Sequence, residues 1–489
     1  MWKNLLWVSF LIVRSTGFVC FIFYCLLNRN IVISGCSWLG KKKASSIPCF
    51  SSAKHSFKLI QFLFQILVQK SQKEDGVNGV TENSFTKYLF PQYPEFATAF
   101  YHYMHKCGKC KNKYISQTVF RQQSERILGM LDDAVIIEAY VRMFTGDHEE
   151  MTPDLMKSLL YTSYTISMDH CPEGPQTCML IDRSLAAIVD GCFNKKDSHS
   201  VGFVVRWIEE HTHRLIMPLH RYSVHVLSTR YRSLSLCTSA PQWDVSLPVL
   251  EARGGPRGGL LAPSAAWMLA AAAPPLYCMP ATNNAKRAGS AMAAWLARQV
   301  CVLPLHWTPL YASNEDGLGA NRFLHHTLAY RGPTLVVVEF AEFQVVVCNP
   351  NEWRETHQYT GGPDSALIQL YPTLSVVEHA PKMLYLNTSI RGYPKGLRAG
   401  SDPRKPLLSI DEGFEHVLYK EAPYPLKCIE VWGCGDTNSR ETQLEIKKWQ
   451  VREAERQRQV KLSAADWMEH PDRYLLELAG RPQYNNSAS

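Results

Sequence analysis

The side chains best suited to chemistry cluster near residue 100. His102 and His105 lie three apart, and Cys107 and Cys110 form a Cys-x-x-Cys pair directly after them. Imidazole nitrogens and thiolates are zinc donors, so these four make a candidate metal set. Zinc modules separate their two ligand pairs by about a dozen residues so that the chain can wrap the ion, whereas here only Lys106 stands between the pairs. The same residues admit a second chemistry. Lys106, Lys109 and Lys111 flank the thiols, and nearby cations favour the thiolate that a redox sensor or thiol enzyme needs. His170, Cys171 and Cys178 also offer donors, but Pro172, Gly174 and Pro175 place them in a loop. His325-His326 fall on a predicted helix with core or surface roles. No Ser elbow and no spaced carboxylate pair occurs, and Arg253–Gly259 has glycines with no strand ahead and no Lys-Ser/Thr behind. The expectation is a chain with no cofactor and no catalytic centre, which acts by binding.

These residues sit on a helical framework. Residues 57–232 read as one helical domain. Val119–Thr145 carries Phe120, Ile127, Leu131, Val135 and Ala139 at near-helical spacing. Thr152-Pro153-Asp154 is a helix start, with a capping hydroxyl, a proline in the first turn and an acid at the positive end of the dipole. Val80-Thr81 with Phe85 recurs as Ile115-Ser116 with Phe120, a spacing that suits two EF-hand units side by side. Position eight of each loop is the hydrophobic residue. Position twelve, which must be a bidentate Glu, is Ser84 or Val119, and position one is Lys73 or Gly108. Neither loop can hold calcium, so the helix pairs are packing devices.

Residues 233–259 form a Gly/Pro-rich linker. Short helices are expected at Ser264–Ala273 and Ser290–Val300, and residues 260–436 then turn β-rich. Thr334–Phe340 and Phe343–Cys348 read as a hairpin, although Ala341-Glu342 lacks the Gly or Asn of a tight turn. Ala366, Ile368 and Leu370 alternate with polar neighbours; Lys382–Leu386, Leu407–Ile410 and Leu426–Trp432 are further strands. Residues 437–489 are a tail, led by a charged helix over Asp436–Leu462 in which Leu444, Ile446, Trp449, Val451 and Val460 are the large apolar side chains. The fold class is therefore α+β.

Composition narrows the function. The 489 residues are 46% hydrophobic and 20% charged, as in a folded globular protein, and the net charge of +8 is spread without the basic stripe of a nucleic-acid binder. Fifteen irregularly spaced cysteines fit reduced thiols rather than a disulfide framework. Residues 1–56 open with the apolar Trp2–Leu27, which Arg14 divides into halves shorter than the roughly 20 residues of a membrane span. An interfacial or membrane-anchoring role for this segment stays open beside Lys41-Lys42-Lys43, which would favour acidic lipid.

Five ordered segments of the β-rich half resemble one family. They are Trp307–Ser313 with Phe323–His326 and Tyr330–Thr334; Tyr359-x-Gly361-Gly362 with Leu370-Tyr371-Pro372; Leu384–Asn387 with Pro394–Gly400; Leu408–Phe414; and Ile429-Glu430-Val431-Trp432-Gly433. Together they are similar to a TLDc domain, which implies a β-sandwich flanked by helices after an EF-hand-like helical domain. The layout resembles the branch of that family linked to mTOR signalling. The resemblance implies a non-catalytic adaptor at the cytoplasmic side of the lysosomal membrane, with the vacuolar proton pump or an mTOR-linked complex as partner and a tie to oxidative-stress resistance. Two departures stand out. Met1-Trp2 replaces the Met-Gly that myristoylation needs, and Val345–Cys348 replaces a Gly-Gly pair in the second strand. Trp432, Trp449, Lys447, Lys448 and Arg452 are the expected partner-binding residues, since Trp and Arg are typical interface anchors.

Overall fold

A computed structural model describes residues 52–130, 132–146, 148–168, 180–236, 249–250, 259–278, 306–435, 437–458 and 478. Trp2–Leu27, the His170/Cys171/Cys178 set, the linker glycines before Gly259 and the helix expected at Ser290–Val300 lie outside these residues.

The helical half runs α1 (Ser52–Glu74), α2 (Glu82–Leu89), α3 (Pro94–Cys107), α4 (Gln117–Leu128), α5 (Asp133–Thr145), β1 (Glu150–Met151), α6 (Pro153–Met168), α7 (Ile181–Phe193), β2 (His199–Ser200), α8 (Val201–His211) and α9 (Met217–Leu236). The periodic stretch Val119–Thr145 is two helices. Gly129 closes α4, and Asp132 opens α5 by accepting from the Ala134 amide, so Val135 falls on an exposed face. Val80 and Ile115 exchange both backbone hydrogen bonds, at 3.0 and 2.9 Å, which joins the two expected EF-hand-like loops. A second pair that the sequence did not reveal follows: β1 and β2 are antiparallel, with Met151 opposite His199. In each unit Ser or Thr follows the bridge residue. Thr81, Thr152 and Ser200 accept from the amides of Ser84, Leu155 and Phe203 and so start the exiting helix.

The second half contains β3 (Val249–Leu250), α10 (Pro263–Ala272), β4 (His306–Ala312), α11 (Ala320–Thr327), β5 (Thr334–Phe340), β6 (Phe343–Asn349), β7 (Ala366–Tyr371), β8 (Ser375–His379), β9 (Leu384–Asn387), β10 (Gly396–Ala399), β11 (Leu408–Ile410), β12 (His416–Tyr419), β13 (Ala422–Gly433) and α12 (Thr437–Arg458). The antiparallel path is β8-β7-β6-β5-β13-β12-β11-β10-β9, with β4 also on β13. The 12-residue β13 belongs to two layers. Its first residues pair with β12, and Leu426–Gly433 pair with β5.

Strand parity then builds two cores. Val336, Val338, Val345 and Val347 point between the layers, among Leu384, Leu397, Ile410 and Val417. Leu335, Val337, Val346 and Cys348 point the other way, into a core shared with Ile188, Trp267 and Tyr277 of the helical side. The layer containing β5 and β6 is thus covered on both faces, which is why its strands read as unbroken apolar runs. The alternation expected around Ala366, Ile368 and Leu370 is not a buried–exposed one, because every residue of β7 is buried. Gln369 is tolerated inside because it donates to the Thr373 carbonyl at 2.9 Å and accepts from the Tyr419 hydroxyl at 2.8 Å. Val345, Val346 and Val347, at the expected departure from a Gly-Gly pair, are fully interior. The β5–β6 hairpin turns tightly, with Phe340 opposite Phe343, by placing Ala341 at φ 46°.

Candidate functional site

The end of β13 and the start of α12 form a joint built from a tyrosine and glycines. The Tyr330 hydroxyl accepts from the Gly435 amide at 2.8 Å. Its ring lies so close to the strand end that a Cβ on Gly433 would meet it at 2.6 Å. One step on, the fully buried Gln443 reaches back to the end of α11. Its amide nitrogen donates to the carbonyls of His326 and Leu328 at 2.9 and 3.0 Å, satisfying groups that a helix end leaves open. Beyond that anchor, α12 is mostly solvated: Leu444, Trp449 and Val451 are exposed, Trp449 by 63%. Ile446 and Trp449 continue the stripe that begins at Gln443, at three-residue steps. Lys448 and Arg452 are exposed beside them and Lys447 is half-buried. A pinned base with a free, aromatic and basic distal part is a surface that can grip a protein.

Two carboxylates tie neighbouring segments of the β-rich half together. Glu355 accepts from the amide and hydroxyl of Thr388 at 2.7 and 2.6 Å, and from those of Ser389 at 3.1 and 3.0 Å. Burial is the largest single influence and would raise its pKa, but these bonds together hold it below the ordinary carboxylate value. Glu430 lies inside β13 and is 3% exposed. It accepts from the Leu260 amide at 2.6 Å and from the Trp432 indole at 3.2 Å, so it ties the approach to α10 onto the sheet. Burial pushes its pKa up. Both carboxylates are engaged by backbone amides and by hydroxyl or indole donors.

The expected partner-binding residues divide. Trp449, Lys448 and Arg452 lie on the outward part of α12 with Lys447 at its flank, whereas Trp432 is only 9% exposed and belongs to the core shared with the helices. Trp432 follows Val431, which faces the sandwich, so strand parity turns it away from solvent as well as from the sandwich. It is not a surface anchor.

The four candidate zinc ligands do not converge, and among the described residues no three His, Cys, Asp or Glu side chains could hold a metal ion. His102 and His105 ride on α3 and have other partners: His102 lies 3.6 Å from Glu82, and the His105 ring lies 2.6 Å from the Asn112 carbonyl. Cys107 ends α3, and Cys110 lies past the turn at Gly108. Burial pushes the Cys110 thiol up, so the neighbouring lysines do not make it the low-pKa thiol expected. Cys278, Cys348 and Cys434 are enclosed in the interior, and burial raises their thiols further. His326, on α11 as predicted, lies 3.7 Å from Asp316, with its ring tilted against that of Tyr311 at a centroid distance of 5.8 Å. Among the described residues, no helix is long and apolar enough to cross a membrane.

Gln443, Glu355 and the hydroxyl role of Tyr330 escaped the sequence reading. A glutamate flanked by Ile429 and Val431 was the available sign of Glu430, since a charge inside an apolar strand needs partners.

Residues 291–435 match the family model described as TLDc domain. The chain is also similar to fungal proteins named "Restriction of telomere capping protein 5". The Pyricularia oryzae protein is 24% identical over 265 residues, which covers 36% of this chain and 41% of the relative. The Colletotrichum graminicola protein is 24% identical over 245 residues, 35% and 39% of the two chains. The Zygosaccharomyces rouxii protein is 28% identical over 165 residues, 28% and 29%. The matched part thus spans well under half the length of these relatives.

Proposed function

Since residues 291–435 match the TLDc domain, we propose that the chain is a non-catalytic adaptor that binds a large assembly at the cytoplasmic face of the lysosome. The partner we assign is the vacuolar proton pump or an mTOR-linked complex, following the resemblance of the helical–TLDc layout. One observation carries the adaptor reading: a rigid, filled sandwich pins a helix at its base and leaves Trp449, Lys448 and Arg452 projecting. An aromatic–basic helix suits a protein groove. Membrane association would then be peripheral and follow from the partner.

Affinity purification of the tagged full-length chain from cells tests this. Pump subunits or lysosomal signalling proteins are expected to enrich. Trp449→Ala is expected to lower that enrichment by about tenfold or more, as loss of a Trp anchor costs roughly 2 kcal/mol. Wild-type chain that captures neither class refutes the partner assignment; equal capture by the Trp449→Ala chain refutes the role of the helix.

A further inference from the structure

We propose that the EF-hand-like half is a self-liganded, calcium-independent clamp in which α9 occupies the groove that calcium sensors reserve for a partner's helix. In sensors, calcium opens each EF-hand pair and exposes an apolar groove that receives an amphipathic helix. Here two such pairs, α1–α4 and α5–α8, are joined by the Val80–Ile115 and Met151–His199 bridges. Helix α9 packs on α1, α2 and α4 of the first pair and on α5 and α6 of the second. Tyr222 sits between Phe90 and Tyr93, with ring centroids 5.9 and 5.4 Å away. Tyr231 meets the edge of Phe62, and the Arg230 side chain donates to the Tyr88 carbonyl at 2.9 Å. On the other lobe His220 contacts Tyr140, with 3.3 Å between Nδ1 and the hydroxyl. Leu219, Tyr222, Val224, Val226 and Leu227 are all buried. The occupant is part of the chain itself.

The metal's work is done by side chains. Counting from the four bridge residues, position one is Lys73, Gly108, Phe144 and Cys192, and position twelve is Ser84, Val119, Leu155 and Phe203. None supplies the first carboxylate or the bidentate Glu that calcium requires. In the first loop, Ser71 of the entering helix donates to Ser84 of the exiting helix at 2.6 Å. Asp75, at position three, accepts from the Thr81 hydroxyl at 2.5 Å and the Asn83 amide at 3.3 Å. The Tyr101 hydroxyl lies 3.1 and 3.0 Å from the carbonyls of Val80 and Lys113, and so joins both loops. The angle between helices is set by hydrogen bonds that calcium cannot modulate, and recruitment falls to the sandwich and α12.

The test uses the full-length chain and a fluorescent synthetic peptide of residues 217–236. Hydrogen exchange across α9 is expected to be slow and the same within twofold in EGTA and in millimolar calcium, with unchanged Tm. The peptide is expected not to bind the wild-type chain, and to bind at least tenfold better to a Leu219→Ala/Tyr222→Ala chain whose own helix is loosened. Peptide binding by the wild type, or faster α9 exchange in calcium, overturns the proposal. Should the double variant not fold, Tyr222→Leu in the same peptide assay keeps the comparison, and the wild-type measurements decide alone.

Discussion

Replacing Gln443 by Ala tests what holds the terminal helix in place. The side chain is fully enclosed and gives two hydrogen bonds, at 2.9 and 3.0 Å, to the carbonyls that end α11. Each is worth about 1 kcal/mol net, and stranding buried carbonyls adds a fraction of the roughly 1–3 kcal/mol that an unsatisfied group costs. The expected loss is about 2.5 kcal/mol, or roughly 60-fold in the docked-to-undocked ratio. The distal part of α12 offers little to compensate, because Trp449, Val451 and Arg452 are exposed and the Glu453–Arg456 pair, at 3.6 Å, is largely solvated. Hydrogen exchange should show amides of 440–450 speeding up by that factor while those of β5 and β6 keep their wild-type rates. Limited proteolysis should cut the helix first. Unchanged exchange in α12 would mean that Ile446 and the Tyr330 joint suffice, and the anchoring role of Gln443 would be wrong.

Burial, followed by the nearby Arg221 charge, makes protonated His220 unwelcome, and its pKa falls from 6.5 to about 4. The unfolded chain therefore binds the extra proton first: the contribution of His220 is full above pH 6.5 and is lost as pH falls toward 4. At about 1.4 kcal/mol per pH unit this amounts to roughly 3 kcal/mol; a His220→Gln chain melted at pH 7 and pH 4.5 should lose less stability than wild type, and equal losses would discount the residue. His213, whose pKa is also lowered to about 4 by burial and Arg214, and Asp133 titrate in both chains and cancel in the comparison. Ala341→Gly should stabilise the β5–β6 hairpin by about 0.5–1 kcal/mol, because relief of a positive φ outweighs the added chain entropy; a lower Tm would contradict the turn geometry. A chain cut to residues 306–458 should expose Leu335, Val337, Val346, Ile368 and Leu370. At about 1.5–3 kcal/mol per side chain, that loss rivals the whole stability of a domain. Dye binding and non-cooperative melting are expected; wild-type cooperativity would show that the helical cover is dispensable.

Much of this architecture was legible because local chemistry and global packing agree. Bridge residues followed by Ser or Thr marked the Val80–Ile115 pair, and the valine runs marked β5 and β6. The second pair was hidden because Met151 and His199 share no residue type, and their pairing is a long-range backbone event with no local sign. Gly129 was overlooked inside an otherwise periodic stretch, although a glycine there ends a helix as readily as it is tolerated within one. For β7, alternation was read as one buried face, yet Leu367 is as enclosed as Ile368. A sheet clad on both sides erases the contrast that alternation depends on.

The candidate site shows the same limit from the other direction. Trp432 and Trp449 look alike in sequence, large aromatics near charges at the end of a domain. What separates them is the element each occupies. Trp432 is on a strand whose two faces are both claimed, one by the sandwich and one by the helices, so its indole is spent on Glu430. Trp449 is on a helix held at Gln443, where each further turn carries it away from the body that covered the first. Residue type supplies the energy a contact can yield, but the distance along the helix from its last fixed point decides whether that contact is made within the chain or with something else.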